Sequence, residues 1–515
     1  MGMKEVLEEL NCRRARAREM GGQEKVDRQH ARGHFTARER VEKLLDPGSF
    51  FELGLLNHSD VPGMEAKTPA DGKICGFGKI AGRTVAVTAD DATVLAGTGG
   101  RIGIEKEDRL LEMAVQKGYP LINLGEGGGA RIPDILGSDG LSSMTMKASM
   151  ARRNRRTPMA ATIMGECFGA PSWIAAMADF VVQVKGSCMA VSGPRVLEIA
   201  TGEKVTNEEL GGWKLHSEVT GQVDRVAEDE EDCLRLVREF LSYMPSNAEE
   251  LPPVVRPTAE TEADQNELLN IIPDQSNRSY DMNRIIKIIV DDGQTFPLKP
   301  EFDPSVITCL ARLDGRTVGI IANQPMYSAG ATGPDGCDKC CSFICLCDSF
   351  NIPLIFLHDT PGFFVGESAE RKRMPGKIIN FVEAVAQSTV PKISLIIRKT
   401  YGMAYSNMCG YGMGADFILA WPTADISFMA PEVAANVVYQ RKLDEEDDME
   451  EARRNAVEQM RIVSTPWKAA GLHYLEDVID PRDTRKTLIE TLKLAGGKDG
   501  CVRSQRFLAN WPTTF

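Results

Sequence analysis

The sequence predicts an α/β protein built from two related halves, and three observations carry that expectation. Short β-branched runs at 84–88, 160–163 and 180–184 alternate with helical stretches such as 105–116, the pattern of buried strands covered by helices. Segments about 233 residues apart repeat in order. Gly82-Arg83-Thr84-Val85 returns as Gly315-Arg316-Thr317-Val318, residues 119–124 return as 352–357, and 158–164 return as 391–397. The register then drifts, yet Ala178-Asp179-Phe180 still matches Ala415-Asp416-Phe417, and Met189-Ala190 matches Met429-Ala430. The same strand order therefore recurs to the end of each half.

A chain of 515 residues exceeds one ordinary core. The proline-rich, acidic stretch 245–262 reads as a surface linker between domains at 1–250 and 263–515. Apolar runs near Leu121 and Leu354 are far shorter than a membrane span, and no charged-then-apolar leader opens the chain, so a cytoplasmic protein is expected. The net charge of −13 argues against nucleic-acid binding, which needs a concentrated basic face. Thirteen cysteines without framework spacing read as reduced thiols.

Each half places glycine-bearing loops directly after an apolar strand. The first has Gly125-Glu126-Gly127-Gly128-Gly129-Ala130-Arg131 and Gly165-Glu166-Cys167-Phe168-Gly169-Ala170; the second has Asp359-Thr360-Pro361-Gly362 and Tyr401-Gly402-Met403-Ala404. Small residues there let backbone N–H groups face a ligand, and two donors aimed at one point make an oxyanion hole. A tight turn explains any one loop; four in duplicated places point to a site. There is no Gly-x-Ser-x-Gly elbow, Walker loop or His-Glu-x-x-His pair, so side-chain nucleophiles and a catalytic metal are poorly supported.

Cys337, Cys340, Cys341, Cys345 and Cys347 read as one face of a buried helix that also holds Phe343, Ile344 and Leu346, rather than as a metal site. Arg152, Arg153, Arg155 and Arg156 precede Thr157-Pro158 and suit a helix end; Arg152 and Arg156 are also candidates to hold coenzyme A phosphates. Met144-Thr145-Met146-Lys147 lacks the following methionine and the small β domain of a biotin acceptor, so it reads as an ordinary helical segment.

Taken together these residues resemble the β-type carboxyltransferase subunits of biotin-dependent acyl-CoA carboxylases and decarboxylases, over nearly the whole chain. The resemblance rests on Arg32-Gly33-His34-Phe35-Thr36-Ala37-Arg38-Glu39-Arg40, residues 44–50, Gly128-Gly129-Ala130-Arg131-Ile132 and Glu208-Glu209-Leu210-Gly211-Gly212. Residues 315–320 with Asn323-Gln324-Pro325, and Ala420-Trp421-Pro422-Thr423-Ala424, complete it. It implies two crotonase-like domains, the amino half holding an acyl-CoA and the carboxyl half receiving carboxybiotin from a separate carrier subunit. It also implies a homo-oligomer, commonly a hexamer, with biotin carboxylase or decarboxylase subunits as partners.

On that resemblance Gly169 and Ala170 hold the thioester carbonyl, Met403 and Ala404 hold the biotin ureido oxygen, and no side-chain base is required. Gly128, Gly129, Ala130, Arg131, Phe168, Gly402, Tyr405 and Ser406 line the substrates. The chain departs from the family at Ala170, at Met403 where glycine is usual, at Ser406 where aspartate is usual, and at 376–380, which replaces an Arg-His-Gly stretch. Met403 and the missing stretch favour a related alternative, an acyl-CoA decarboxylase that works without biotin. A non-catalytic scaffold subunit is the alternative from another class.

Overall fold

Among the described residues each half of the chain builds one eight-stranded sheet. The structure is a computed structural model and describes residues 2–144, 147, 153–257, 264–275, 278–443, 449–496 and 506–512. It divides into two compact units, Met1–Glu250 and Leu251–Trp511. Pro512, beyond the second unit, joins the first by accepting a hydrogen bond from Arg155 Nη2 at 3.0 Å.

In the first unit the strands are β1 (Phe51–Leu53), β2 (Lys73–Ile80), β3 (Arg83–Asp90), β4 (Leu121–Gly127), β5 (Met159–Phe168), β6 (Phe180–Val184), β7 (Cys188–Ala190) and β8 (Arg225–Ala227). They run in the order β1-β2-β3-β4-β5-β6-β8, with β7 on β5. The first three pair antiparallel and the rest parallel.

The second unit repeats this with β9 (Thr295–Pro297), β10 (Val306–Leu313), β11 (Arg316–Asn323), β12 (Leu354–Thr360), β13 (Lys392–Tyr401), β14 (Phe417–Ala420), β15 (Asp425–Ser427) and β16 (Asp477–Val478). Their order is β9-β10-β11-β12-β13-β14-β16, with β15 on β13. The runs that the sequence marks as strands at 84–88, 160–163 and 180–184 lie inside β3, β5 and β6, and the 105–116 stretch lies inside helix Arg101–Lys117.

Local chemistry explains why the duplication holds. Both antiparallel hairpins turn through two residues of positive φ, Ala81-Gly82 and Asp314-Gly315, the backbone that a tight two-residue hairpin demands. In each, one carboxylate accepts from both turn amides: Asp46 from Ala81 and Gly82, Asp291 from Asp314 and Gly315. Helices Arg101–Lys117 and Pro334–Ser349 then make the crossovers into the parallel strands. All five cysteines of the second crossover are buried, as the apolar spacing requires, and burial pushes the thiols of Cys337, Cys340, Cys341 and Cys347 up. Among the described residues no helix is long and apolar enough to cross a membrane.

Candidate active site

The strands β5 and β13 each end in a glycine of the same unusual backbone. Gly169 has φ 69°, ψ −124° and Gly402 has φ 61°, ψ −146°, a region closed to side chains. A Cβ on Gly402 would also approach Phe428 O to 3.1 Å. Each glycine reverses the chain into a helix, Ala170–Met177 or Met403–Asn407, whose first amides precede any internal helical bond. Both halves thus aim helix-start N–H groups past the carboxyl end of a central parallel strand, where open α/β sheets bind ligands.

The two turns differ in how many amides they offer. The N–H of Gly169 donates to Ala190 O at 3.3 Å and that of Gly402 to Ser427 O at 3.1 Å, so both glycine amides tie their turns to β7 and β15. Gly169, expected as an oxyanion donor, therefore has its N–H directed at Ala190 O in this structure. Ala170 keeps its N–H, but the next residue is Pro171, which has none. At the matching places the second turn carries two N–H groups, Met403 and Ala404.

The expected lining residues divide. Gly129 and Phe168 lie beside the first turn, for a Cβ on Gly129 would sit 3.3 Å from Phe168 O and one on Gly169 would sit 3.9 Å from Gly129 Cα. Gly128 and Ala130 are exposed on the same loop. Arg131, expected to line the substrate, is buried. Its guanidinium is 3% exposed and ion-pairs with Asp71 and Asp134, because a buried cation must be matched by carboxylates.

The arginine cluster also parts. Arg153 and Arg155 close on Asp179, while Arg156 is exposed, 3.8 Å from Glu249. Arg156 precedes β5 whereas Gly169 follows it, so the length of a ten-residue strand, roughly 30 Å, separates them. Arg152 lies outside the described residues. Lys147 is ion-paired to Asp108 at 2.7 Å.

Around the second turn, Met403 is 49% exposed and Ser406 is half-buried. Tyr405 packs its ring on Gly410 and accepts from Tyr411 N–H at 2.9 Å. Behind it Tyr401 donates to Asp425 at 2.6 Å, and Lys399, opposite Asp425 across the strands, has its ammonium pushed down by burial. His358 is fully buried on Thr400, and burial pushes it down to about 3, so it is neutral at physiological pH.

Several groups escaped the sequence reading. Glu126 and Asp359 sit where β4 and β12 lose register with the next strand, and buried arginines, Arg40 and Arg398, close on them. The repeat spacing that aligns the halves also aligns these two carboxylates, which is the signal that finds them; nothing local marks Arg40.

The sequence matches the Carboxyl transferase domain family over residues 28–504. The chain belongs to that family. Among its relatives, the propionyl-CoA carboxylase carboxyltransferase subunit of Haloferax mediterranei is 37% identical over 509 residues, covering 97% of each chain. The methylmalonyl-CoA decarboxylase subunit alpha of Veillonella parvula is 38% identical over 502 residues, covering 96% of this chain and 97% of that one. The crystal structure of transcarboxylase 12S, a hexamer with methylmalonyl-coenzyme A bound, superposes with a TM-score of 0.91 at 35% identity, covering 98% of this chain and 97% of its own. The carboxyl transferase fold is therefore common to both units, and the chain is an enzyme of the carboxyltransferase class.

Proposed function

We propose that this carboxyltransferase moves a carboxyl group between carboxybiotin, carried by a separate subunit, and the α or vinylogous carbon of an acyl-CoA. The single observation that carries the reading is the duplicated glycine turn, with an amide-bearing helix start in each half. In the first unit the Ala170 N–H meets the thioester oxygen as negative charge develops on it. Gly129 and Gly169, lacking side chains, let the thioester approach the backbone. An enolate is the charge such donors stabilise best, since they are already oriented when it forms.

The second turn fits a ureido group. Met403 and Ala404 both present amides, Gly402 leaves the approach clear, and the half-exposed Met403 side chain does not close the turn into the core. When bound there, carboxybiotin supplies the carboxyl group and a nitrogen basic enough to take the α-proton. The chain's own part is to orient both partners and hold charge on two oxygens, which agrees with a neutral, buried His358.

The proposal includes a cytoplasmic setting, in which the buried thiols of helix Pro334–Ser349 stay reduced. It also includes a hexamer like that of transcarboxylase 12S, working with carrier and biotin carboxylase or decarboxylase subunits. Apolar Val196 and Ile199, exposed on helix Pro194–Thr201, support burial against another chain.

Met403 favours a second reading, decarboxylation of an acyl-CoA without biotin, because its side chain stands where the family has none. The test measures carboxyl exchange with carboxybiotin in the natural and Met403→Gly chains, alongside biotin-free decarboxylation of a malonyl-type thioester. Exchange in the natural chain, kept or raised by Met403→Gly, is expected. Decarboxylation without any exchange overturns the first reading in favour of the second.

A further inference from the structure

The strands that lead into the two turns, β5 and β13, carry a register irregularity at the same place. The pairing of β4 with β5 slips between Gly125 and Gly127, and that of β12 with β13 slips between His358 and Thr360, so the extra residues are 164–166 on β5 and 397–399 on β13, and Glu126 and Asp359 are the single residues that face them. Bulges beside active sites redirect the strand end beyond them. Here both are clamped on the same two sides. The Glu126 N–H donates to Asp90 at 3.3 Å and the Asp359 N–H to Asn323 at 3.2 Å. A Cβ on Gly97 or Gly330 would overlap the carbonyl oxygen of Glu126 or Asp359, respectively.

The two carboxylates then diverge in partner but not in reach. Glu126 receives Gln29 at 2.8 Å and Arg40 at 2.5 Å, and its oxygen lies where a Cβ on Gly165 would stand, 2.5 Å away, on the strand that runs into Gly169. The next residue, Gly127, packs so tightly that a Cβ would sit 3.1 Å from Pro171 in the helix of the first turn. Asp359 receives Arg398 at 3.0 Å and the backbone N–H of Lys399 at 3.4 Å, three residues before Gly402. In both units an arginine-paired carboxylate therefore lies against the strand that delivers the amide turn, packed on Gly165 in the first and hydrogen-bonded to Arg398 and Lys399 in the second.

We infer that Glu126 and Asp359 are positioning residues, each setting where its own unit's amide turn sits. Neither needs to touch a substrate. Removing the charge of one relaxes the bulge, lets the adjacent strand end shift, and misaims one turn while the other unit keeps its geometry. A displacement of about 1 Å in such a site lowers rate by ~10²-fold, far more than it lowers binding.

The experiment compares the full-length natural chain with Glu126→Gln and Asp359→Asn by amide hydrogen exchange on peptides spanning 168–177 and 401–407. Glu126→Gln is expected to speed exchange at 168–177 alone, and Asp359→Asn at 401–407 alone, with the thermal midpoint nearly kept. Natural exchange at both turns in folded variants overturns the inference, and so does an equal rise in every peptide, which is the mark of a merely structural charge. Glu126→Asp and Asp359→Glu, which keep the charge and shift it by one methylene, provide the same readout if the neutral variants do not fold. A kinetic arm rests on the proposed carboxyl transfer: kcat falls about 10–100-fold while the KM for acyl-CoA changes little. A natural chain with no transfer defeats that functional reading but leaves the exchange arm to decide this one.

Discussion

Behind their matching turns the two units fill the same space with opposite chemistry. In the first, Lys73 lies buried between Asp90 at 2.7 Å and Glu107 at 2.8 Å, with Asn123 bonded to Thr88 and Glu107. At the corresponding places the second has Val306, Asn323, Cys340, Ile321 and Phe356, and Val306 pairs with Asn323 across the strands as Lys73 pairs with Asp90. The sheet accepts either filling, but charges must come as a set, since a lone buried ion costs more than a neutral contact of equal volume. A second buried lysine was kept in both units: Lys106 donates to Ala70 O and Lys73 O, and Lys339 to Phe302 O and Val306 O.

The sharpest way to break this comparison is to take one charge from the set. Lys73→Met leaves Asp90 and Glu107 buried without their cation and is expected to destabilise the chain by about 3–5 kcal/mol. Transplanting the second unit's solution, Lys73→Val with Asp90→Asn and Glu107→Cys, should recover most of that loss in chemical unfolding. A triple variant as unstable as Lys73→Met would show that the two fillings are not interchangeable.

Next in size is the contrast between the turns. Ala170→Pro removes the one helix-start N–H left in the first turn, and kcat for carboxyl transfer should fall ~10²–10³-fold in a folded protein. Met403→Pro leaves the Ala404 amide in the second turn, so its loss should be smaller. Equal losses would mean that the turns offer equal donors.

The paired lysines predict equality instead. Lys106→Met and Lys339→Met each leave carbonyls buried without a donor and should each cost about 2–4 kcal/mol by denaturant midpoint.

A smaller effect distinguishes the first unit by pH. The hydrogen bond from His34 to Glu230 raises the imidazole above its ordinary 6.5, so the folded state binds that proton more tightly than the unfolded one. The resulting stability is complete below 6.5 and fades as pH rises through the raised value. The stability gap between the natural chain and His34→Asn should therefore narrow from pH 6 toward pH 8.5. The smallest expected change is Arg156→Glu, which should weaken coenzyme A binding modestly and only at low salt, given its exposure and its distance along β5 from the turn.

The sequence alone determined the duplication, the α/β class and the two glycine turns, because each is written in contiguous residues: apolar strands, a spacing that repeats, and glycines where no side chain fits. Family motifs added the chemistry proposed for those turns. What only the tertiary structure decided is which polar groups remain available. Arg131 reads as a ligand residue inside Gly128-Gly129-Ala130-Arg131, yet it closes on Asp71, 60 residues away in the chain. Gly169 reads as a donor, yet its amide is taken by Ala190 on β7. Glu126 reads as part of a glycine-bearing loop, yet Gln29 and Arg40 hold it opposite the extra residues of β5. In each case a hydrogen bond ties the group to a distant segment, and such bonds leave no mark in local pattern because folding brings their partners together only when the sheet closes.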